Sequence, residues 1–124
     1  MAFEEFKAKK IQMTSPYAAI LKSGSISINT ACYEEYFKDV SHIIFLYDRE
    51  RKTIGIRPAQ KQRANSYAIR KNRATGGGGS VAANAFLKSF VQIDYEKQGT
   101  KQYEVSWNRE EKLLEVYLDR PIKK

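Results

Sequence analysis

Apolar and polar positions divide the chain into two hairpin-like blocks. In the first, the apolar run Ile43-Ile44-Phe45-Leu46-Tyr47 is rich in β-branched and aromatic residues and reads as a buried strand. The polar stretch Asp48 to Lys52 turns the chain, and Ile54 and Ile56 then alternate on a return strand. In the second block Tyr103, Val105 and Trp107 alternate, Asn108 to Glu111 form the turn, and Leu114, Val116 and Leu118 come back. Period-two alternation buries one face of a strand and leaves the other wet. Proline cannot donate to a ladder, so Pro58 and Pro121 are expected to follow the return strands and end them.

A similar lead-in precedes each hairpin. Short strands are predicted at Tyr17 to Leu21 and Tyr67 to Lys71, turning into Ser25–Ile28 and Ser80–Ala83. Asn29 and Asn84 then stand where a helix begins, because an asparagine side chain accepts a hydrogen bond from an orphaned first-turn N–H. The helices are predicted over Thr30 to Phe37 and Ala85 to Val91. Tyr33, Tyr36 and Phe37 share one stripe of the first, and Phe86, Leu87 and Phe90 one stripe of the second.

These blocks align with each other. Gly24-Ser25-Ile26-Ser27-Ile28-Asn29 matches Gly79-Ser80-Val81-Ala82-Ala83-Asn84 at an offset of 55, and the hairpin starting at Tyr47 matches that starting at Trp107 at an offset of 60. Tyr17-Ala18 matches Tyr67-Ala68 at an offset of 50. Three matches in one order predict a duplication. The expected organisation is one compact domain over residues 1–124, with repeat one at 11–58 and repeat two at 59–121. The expected class is α+β, mostly β, built of tandem ββαββ units. Gly76 to Ser80 reads as a hairpin loop that has expanded in the second unit.

A strand, a Gly-x-Ile-x-Ile turn into a short helix, and a closing hairpin with a charged tip resemble the swapped-hairpin fold of the AbrB, MazE and MraZ regulators and antitoxins. The resemblance implies a small barrel in which two units interlock, and DNA contacts from basic residues on one face. It also implies a pseudo-symmetric monomer or a homodimer. The chain departs from that family at Ser25 and Ser80, where arginine is usual, and at Asn29 and Asn84, where proline is usual. Glu34 and Glu35 also occupy the first helix.

Charge sharpens the expectation about partners. The formal net charge is +8, and a basic surface attracts polyanions. Residues Ala59 to Ala74 carry Lys61, Arg63, Arg70, Lys71 and Arg73 with no acidic residue. Amide and hydroxyl side chains fill much of the rest, and Tyr67 offers a stacking face. Cations beside such donors suit phosphate contact and base-edge reading. Lys61, Arg63, Tyr67, Arg70, Lys71 and Arg73 are therefore the nucleic-acid-binding candidates, with DNA placed ahead of RNA. Lys22 and Arg57 are secondary candidates. The competing reading is a protein-binding module such as an antitoxin, an inhibitor or a complex subunit, with the basic run a solvated connection.

Other chemistries lack a constellation. Cys32 and His42 are the only thiol and imidazole, and together they neither close a zinc site nor form a nucleophilic pair with an orienting third group. The glycine-rich stretch lacks the Gly-Lys-Ser/Thr ending of a phosphate loop. The expectation is a non-enzyme without cofactor or metal. One cysteine excludes an internal disulfide framework, and the apolar runs are too short for a bilayer span or a secretory signal, so the expected compartment is the cytoplasm.

Overall fold

A computed structural model of the chain describes residues 16–59, 64–71 and 78–122. These residues carry nine strands: β1 (Tyr17–Ile20), β2 (Ser25–Ile28), β3 (His42–Asp48), β4 (Thr53–Ala59), β5 (Tyr67–Ala68), β6 (Arg70–Lys71), β7 (Gly79–Ala82), β8 (Lys101–Asn108) and β9 (Leu113–Pro121). All belong to one antiparallel sheet in the order β5-β3-β4-β9-β8-β1-β2-β7-β6. The class is mostly β, and the sheet is a nearly closed barrel. No helix among the described residues is long and apolar enough to cross a membrane.

The two hairpins form where alternation predicts them, and their tips share one chemistry. Asp48 Oδ1 accepts from the Arg51 N–H at 3.1 Å, and Asn108 Oδ1 accepts from the Glu111 N–H at 3.0 Å. Each bond folds the tip onto itself, as Asp and Asn favour in turns. Lys52 and Lys112 then take positive φ values of 50° and 55° to re-enter the return strands. The charged tips are structural turns.

Sheet closure depends on the segment Tyr67 to Lys71. A single strand is expected there, but the segment splits around Ile69. Tyr67 and Ala68 pair with Ile43 and His42 of β3, whereas Arg70 and Lys71 pair with Ser80 and Gly79 of β7. Between them the Ile69 N–H donates to the Ser41 carbonyl at 3.1 Å. The same five residues thus cover both ends of the strand order. Closure matters because an uncovered strand edge invites pairing with other chains.

The core lies inside this wall. Ile20, Ile26, Ile43, Ile54, Ile56, Leu114 and Val116 are fully buried, joined by Phe37, Cys32 and Leu87 from the helices. Helix α1 (Thr30–Cys32) runs on into a π-helical turn, Tyr33–Phe37. The second helix, α2 (Phe86–Val91), is π-helical, and α3 (Tyr95–Gln98) is a single turn. Asn29 caps α1 as expected: its Oδ1 accepts from the Cys32 N–H at 3.1 Å and also from the Tyr17 N–H at 3.1 Å. Asn84 does not repeat this role. The Ala83 carbonyl accepts the first bond, from the Leu87 N–H at 2.9 Å. The Asn84 amide instead donates to the Ser23 carbonyl at 2.8 Å and the Tyr95 hydroxyl at 3.1 Å.

Two further expectations change. Pro58 sits inside β4, opposite Ile43, and does not follow the strand. It is tolerated because β9 pairs with β4 only over Thr53–Ile56, leaving Pro58 with a neighbour on one side. Helix α3 is an addition, and its signals are local: Asp94 Oδ1 accepts from the Lys97 N–H at 3.1 Å, and Gly99 ends the turn at φ +79°.

Gly24 shows how tightly the lead-in packs. It adopts φ +91°, and a Cβ there would collide with the Asn84 amide and the Tyr95 ring. Gly24→Ala should therefore cost about 2 kcal/mol or more, combining backbone strain with the clash. Urea denaturation checks this; an unchanged midpoint would show that the turn can relax.

Candidate functional site

Three of the six nominated residues, Lys61, Arg63 and Arg73, lie outside the described residues. The other three, Tyr67, Arg70 and Lys71, are brought together on the closing segment. Its partner strand explains their exposure. Arg70 and Lys71 pair with Ser80 and Gly79, whose small or absent side chains leave the two cations standing clear in solvent. Gly79 has a second duty, since a Cβ there would come within 2.8 Å of the Tyr33 ring. That ring packs against the strand, and Lys71 Nζ lies 6.0 Å from its centroid.

Arg70, Tyr67 and Ala68 line one wall of a depression of about 300 Å³, with Ser25, Ser80 and Ala82 among its other lining residues. Among the described residues no carboxylate contributes to it. Neither Arg70 nor Lys71 forms an ion pair with any described residue. Arg57, a secondary candidate, is committed elsewhere: its guanidinium donates to the Glu111 carboxylate at 3.1 Å and to the Glu111 carbonyl at 3.2 Å. The backbone N–H of Lys22 is fixed by Thr100 Oγ1 at 3.2 Å.

Tyr67 is half-buried, and one side of it is occupied. Its ring meets Phe45 at 4.9 Å between centroids, tilted by 58°. Phe45 stacks on Phe86 at 4.6 Å, and Phe86 leads to Phe90 at 5.8 Å. Phe90 meets Tyr47 edge-on at 6.2 Å, and the Arg49 guanidinium lies 5.2 Å from the Phe90 centroid and 5.9 Å from that of Tyr47. The stripe on α2 predicts a buried Phe90, yet this side chain is 47% exposed. The wider i→i+5 turn brings Val91 to the core beside Phe86 and Leu87 in its place.

The thiol and the imidazole have different surroundings. Cys32 is fully buried, and burial, with Glu35 adding to it, pushes the thiol up to about 12. It is a core residue. His42 Nδ1 is 2.9 Å from Ser41 Oγ on β3's exposed approach. Among the described residues no group of His, Cys, Asp and Glu could hold a metal ion. No family model, no curated protein and no solved structure matches the chain.

A second depression, of about 260 Å³, lies between the hairpin tips and is organised by Glu115. Nothing in the local sequence marks this residue, which faces Gly55 across the β4–β9 ladder. Its carboxylate receives both Arg51 guanidinium nitrogens at 3.2 and 3.1 Å, Asn108 Nδ2 at 3.1 Å and the Tyr117 hydroxyl at 2.8 Å. The Arg51 hydrogen bonds hold the carboxyl below its usual range; burial opposes them, and Asn108 and Tyr117 assist. All acceptor capacity is spent within the protein, so the cluster is a clamp between hairpins. A lowered carboxyl contributes stability that is present above its unfolded value, near 4.5, and is lost as pH falls through the folded value. Glu115→Gln should cost about 1–2 kcal/mol at neutral pH and flatten the acid limb of stability against pH. Identical acid limbs for both proteins, followed by urea denaturation, would remove the clamp from the account.

Proposed function

We propose that this chain is a nucleic-acid-binding module that contacts phosphates through Arg70 and Lys71, with Tyr67 beside them on the strand that closes the sheet. One observation carries the proposal: two adjacent exposed cations have no carboxylate partner among the described residues, and one of them, Arg70, borders a depression to which no described carboxylate contributes. In sequence they lie within the acid-free run from Ala59 to Ala74, which Lys61, Arg63 and Arg73 extend. Two cations on a short, fixed strand, one on each of its faces, meet phosphates at low entropic cost.

Within this proposal the chain is a swapped-hairpin-like barrel of two ββαββ units related by an internal two-fold. The ladder registers support that reading. The pairs Ala18↔Tyr103 and Ala19↔Gln102 have counterparts in Tyr67↔Ile43 and Ala68↔His42. The tip pair Asp48↔Thr53 has its counterpart in Asn108↔Leu113. Ile26 faces Val81, and Gly55 faces Glu115, as equivalent positions do on a two-fold axis. On this register Ala18, rather than Tyr17, corresponds to Tyr67. Each unit's first strand pairs with the other unit's hairpin, which is the interlocking expected of the fold. The symmetry extends only partly to charge: Lys71 of the second unit corresponds to Lys22 of the first, but Arg70 corresponds to Leu21, so the second unit's side is the more basic.

Fluorescence anisotropy with labelled duplex and single-stranded oligonucleotides, titrated between about 50 and 200 mM salt, tests the reading. Binding should weaken steeply with salt. The double charge reversal Arg70→Glu and Lys71→Glu should weaken it at least about tenfold and make the salt slope shallower by about one for each phosphate no longer neutralised. Both side chains are exposed, so circular dichroism should stay unchanged. Absence of binding at the lowest salt, or a folded double variant with unchanged affinity, overturns the proposal.

A further inference from the structure

We infer that the nucleic acid taken by this surface is single-stranded, with a base stacking on the exposed Phe90 ring at the far end of the aromatic row that starts at Tyr67. The inference rests on the nucleic-acid reading and deepens it. A duplex presents phosphates and groove edges but hides the faces of its bases, so it has no use for exposed rings. A single strand offers both a phosphate chain and a π-face on each base, and proteins that bind it combine a cationic path with aromatic platforms.

The structure supplies both along one strip, in which Phe90 is the exposed platform and Phe86 is buried beneath it. The centroids of Tyr67, Phe45, Phe86 and Phe90 follow one another at 4.9, 4.6 and 5.8 Å. Cations bracket the row: Arg70 and Lys71 stand next to Tyr67 at one end, and Arg49 lies over Phe90 and Tyr47 at the other. Phe90 is the large apolar side chain left exposed among the described residues, and it sits on this strip. A guanidinium over a ring stacks readily with a base as well. Asp48, on the same hairpin tip as Arg49, is turned to Arg51 at 4.0 Å. The cations at its two ends complement a polyanion, with exposed Glu50 beside Arg49 offsetting part of that charge, while the exposed ring calls for an aromatic or apolar partner. An unpaired nucleotide satisfies both requirements.

The test is anisotropy at matched salt with fluorescein-labelled oligothymidylate, oligouridylate and a mixed-sequence duplex, each of about 15 nucleotides, a length within the usual site size. The full chain is compared with Phe90→Ala, whose half-exposed side chain can be removed without opening the core. A single strand should bind at least about tenfold more tightly than the duplex. Phe90→Ala should weaken single-strand binding about tenfold with an unchanged salt slope, because stacking releases no counterions. Duplex binding should not change. Equal or tighter duplex binding, or full single-strand affinity in Phe90→Ala, overturns the inference while leaving phosphate contact by Arg70 and Lys71 standing. Loss of all nucleic-acid binding removes both readings together. Self-association abolished by Phe90→Ala in sedimentation, without any effect on oligonucleotide affinity, would assign the strip to a second copy of the chain and overturn the inference.

Discussion

Five backbone residues, Tyr67 to Lys71, hold the nine-stranded sheet shut. They make two residue pairs with β3 on one side and two with β7 on the other, joined by the single Ile69 to Ser41 hydrogen bond. Each such bond contributes only about 1 kcal/mol net. Side chains add to the hold, with the Tyr67 ring on Phe45 and the Lys71 ammonium over Tyr33. If the segment lifted away, β3 and β7 would both present unpaired edges. Exposed cations on such a short strand also discourage edge-to-edge pairing. The basic character of the segment thus serves the barrel and the proposed ligand at once, which places the binding surface on the element the fold most needs to keep in position.

The opposite side of the barrel is secured differently. There β4 and β9 pair over Thr53–Ile56, the Leu118 N–H adds a bond to the Lys52 carbonyl at 3.0 Å, and a side-chain link joins the hairpin tips. Glu115 supplies it by gathering Arg51 from one tip and Asn108 from the other. Gly55 makes room opposite, since even a Cβ there would press on Leu113 at 3.2 Å. A buried carboxylate is costly alone and is tolerated here because four donor bonds satisfy it. One seam is therefore closed by backbone pairing and exposed cations, the other by a buried carboxylate with a half-exposed arginine partner. At the second, Arg51 and Glu115 are spent on each other, whereas Arg70 and Lys71 at the first have no ion-pair partner among the described residues.

Local signals made most of the fold legible. Alternation located both hairpins, Asp48 and Asn108 marked their turns, and Asn29 announced α1. What remained hidden was set by partners distant in sequence. Nothing within Tyr67 to Lys71 says that two halves of one short strand pair with opposite ends of a sheet. Asn84 looks like a helix cap in sequence, but the Tyr95 hydroxyl and Ser23 carbonyl compete for its amide. The π-helical turn that exposes Phe90 cannot be read from a 3.6-residue stripe. By contrast α3 was readable from Asp94 and Gly99, a cap and a stop four residues of helix apart. Of the candidate site, Arg70, Lys71 and Tyr67 were visible as an acid-free run. Arg49 and Phe90 were not, because the aromatic row joins them only in three dimensions.

The central claim is that the segment closing the sheet is also the segment that meets nucleic acid. Amide hydrogen exchange of the full chain, with and without saturating oligothymidylate, tests it most directly. The account predicts added protection at Ile69 to Lys71 and along β7, where ligand contact would stiffen the short ladders, with a second protected stretch over Phe86 to Val91. Protection confined to other surfaces, or faster exchange at Ile69 to Lys71 on binding, would contradict it.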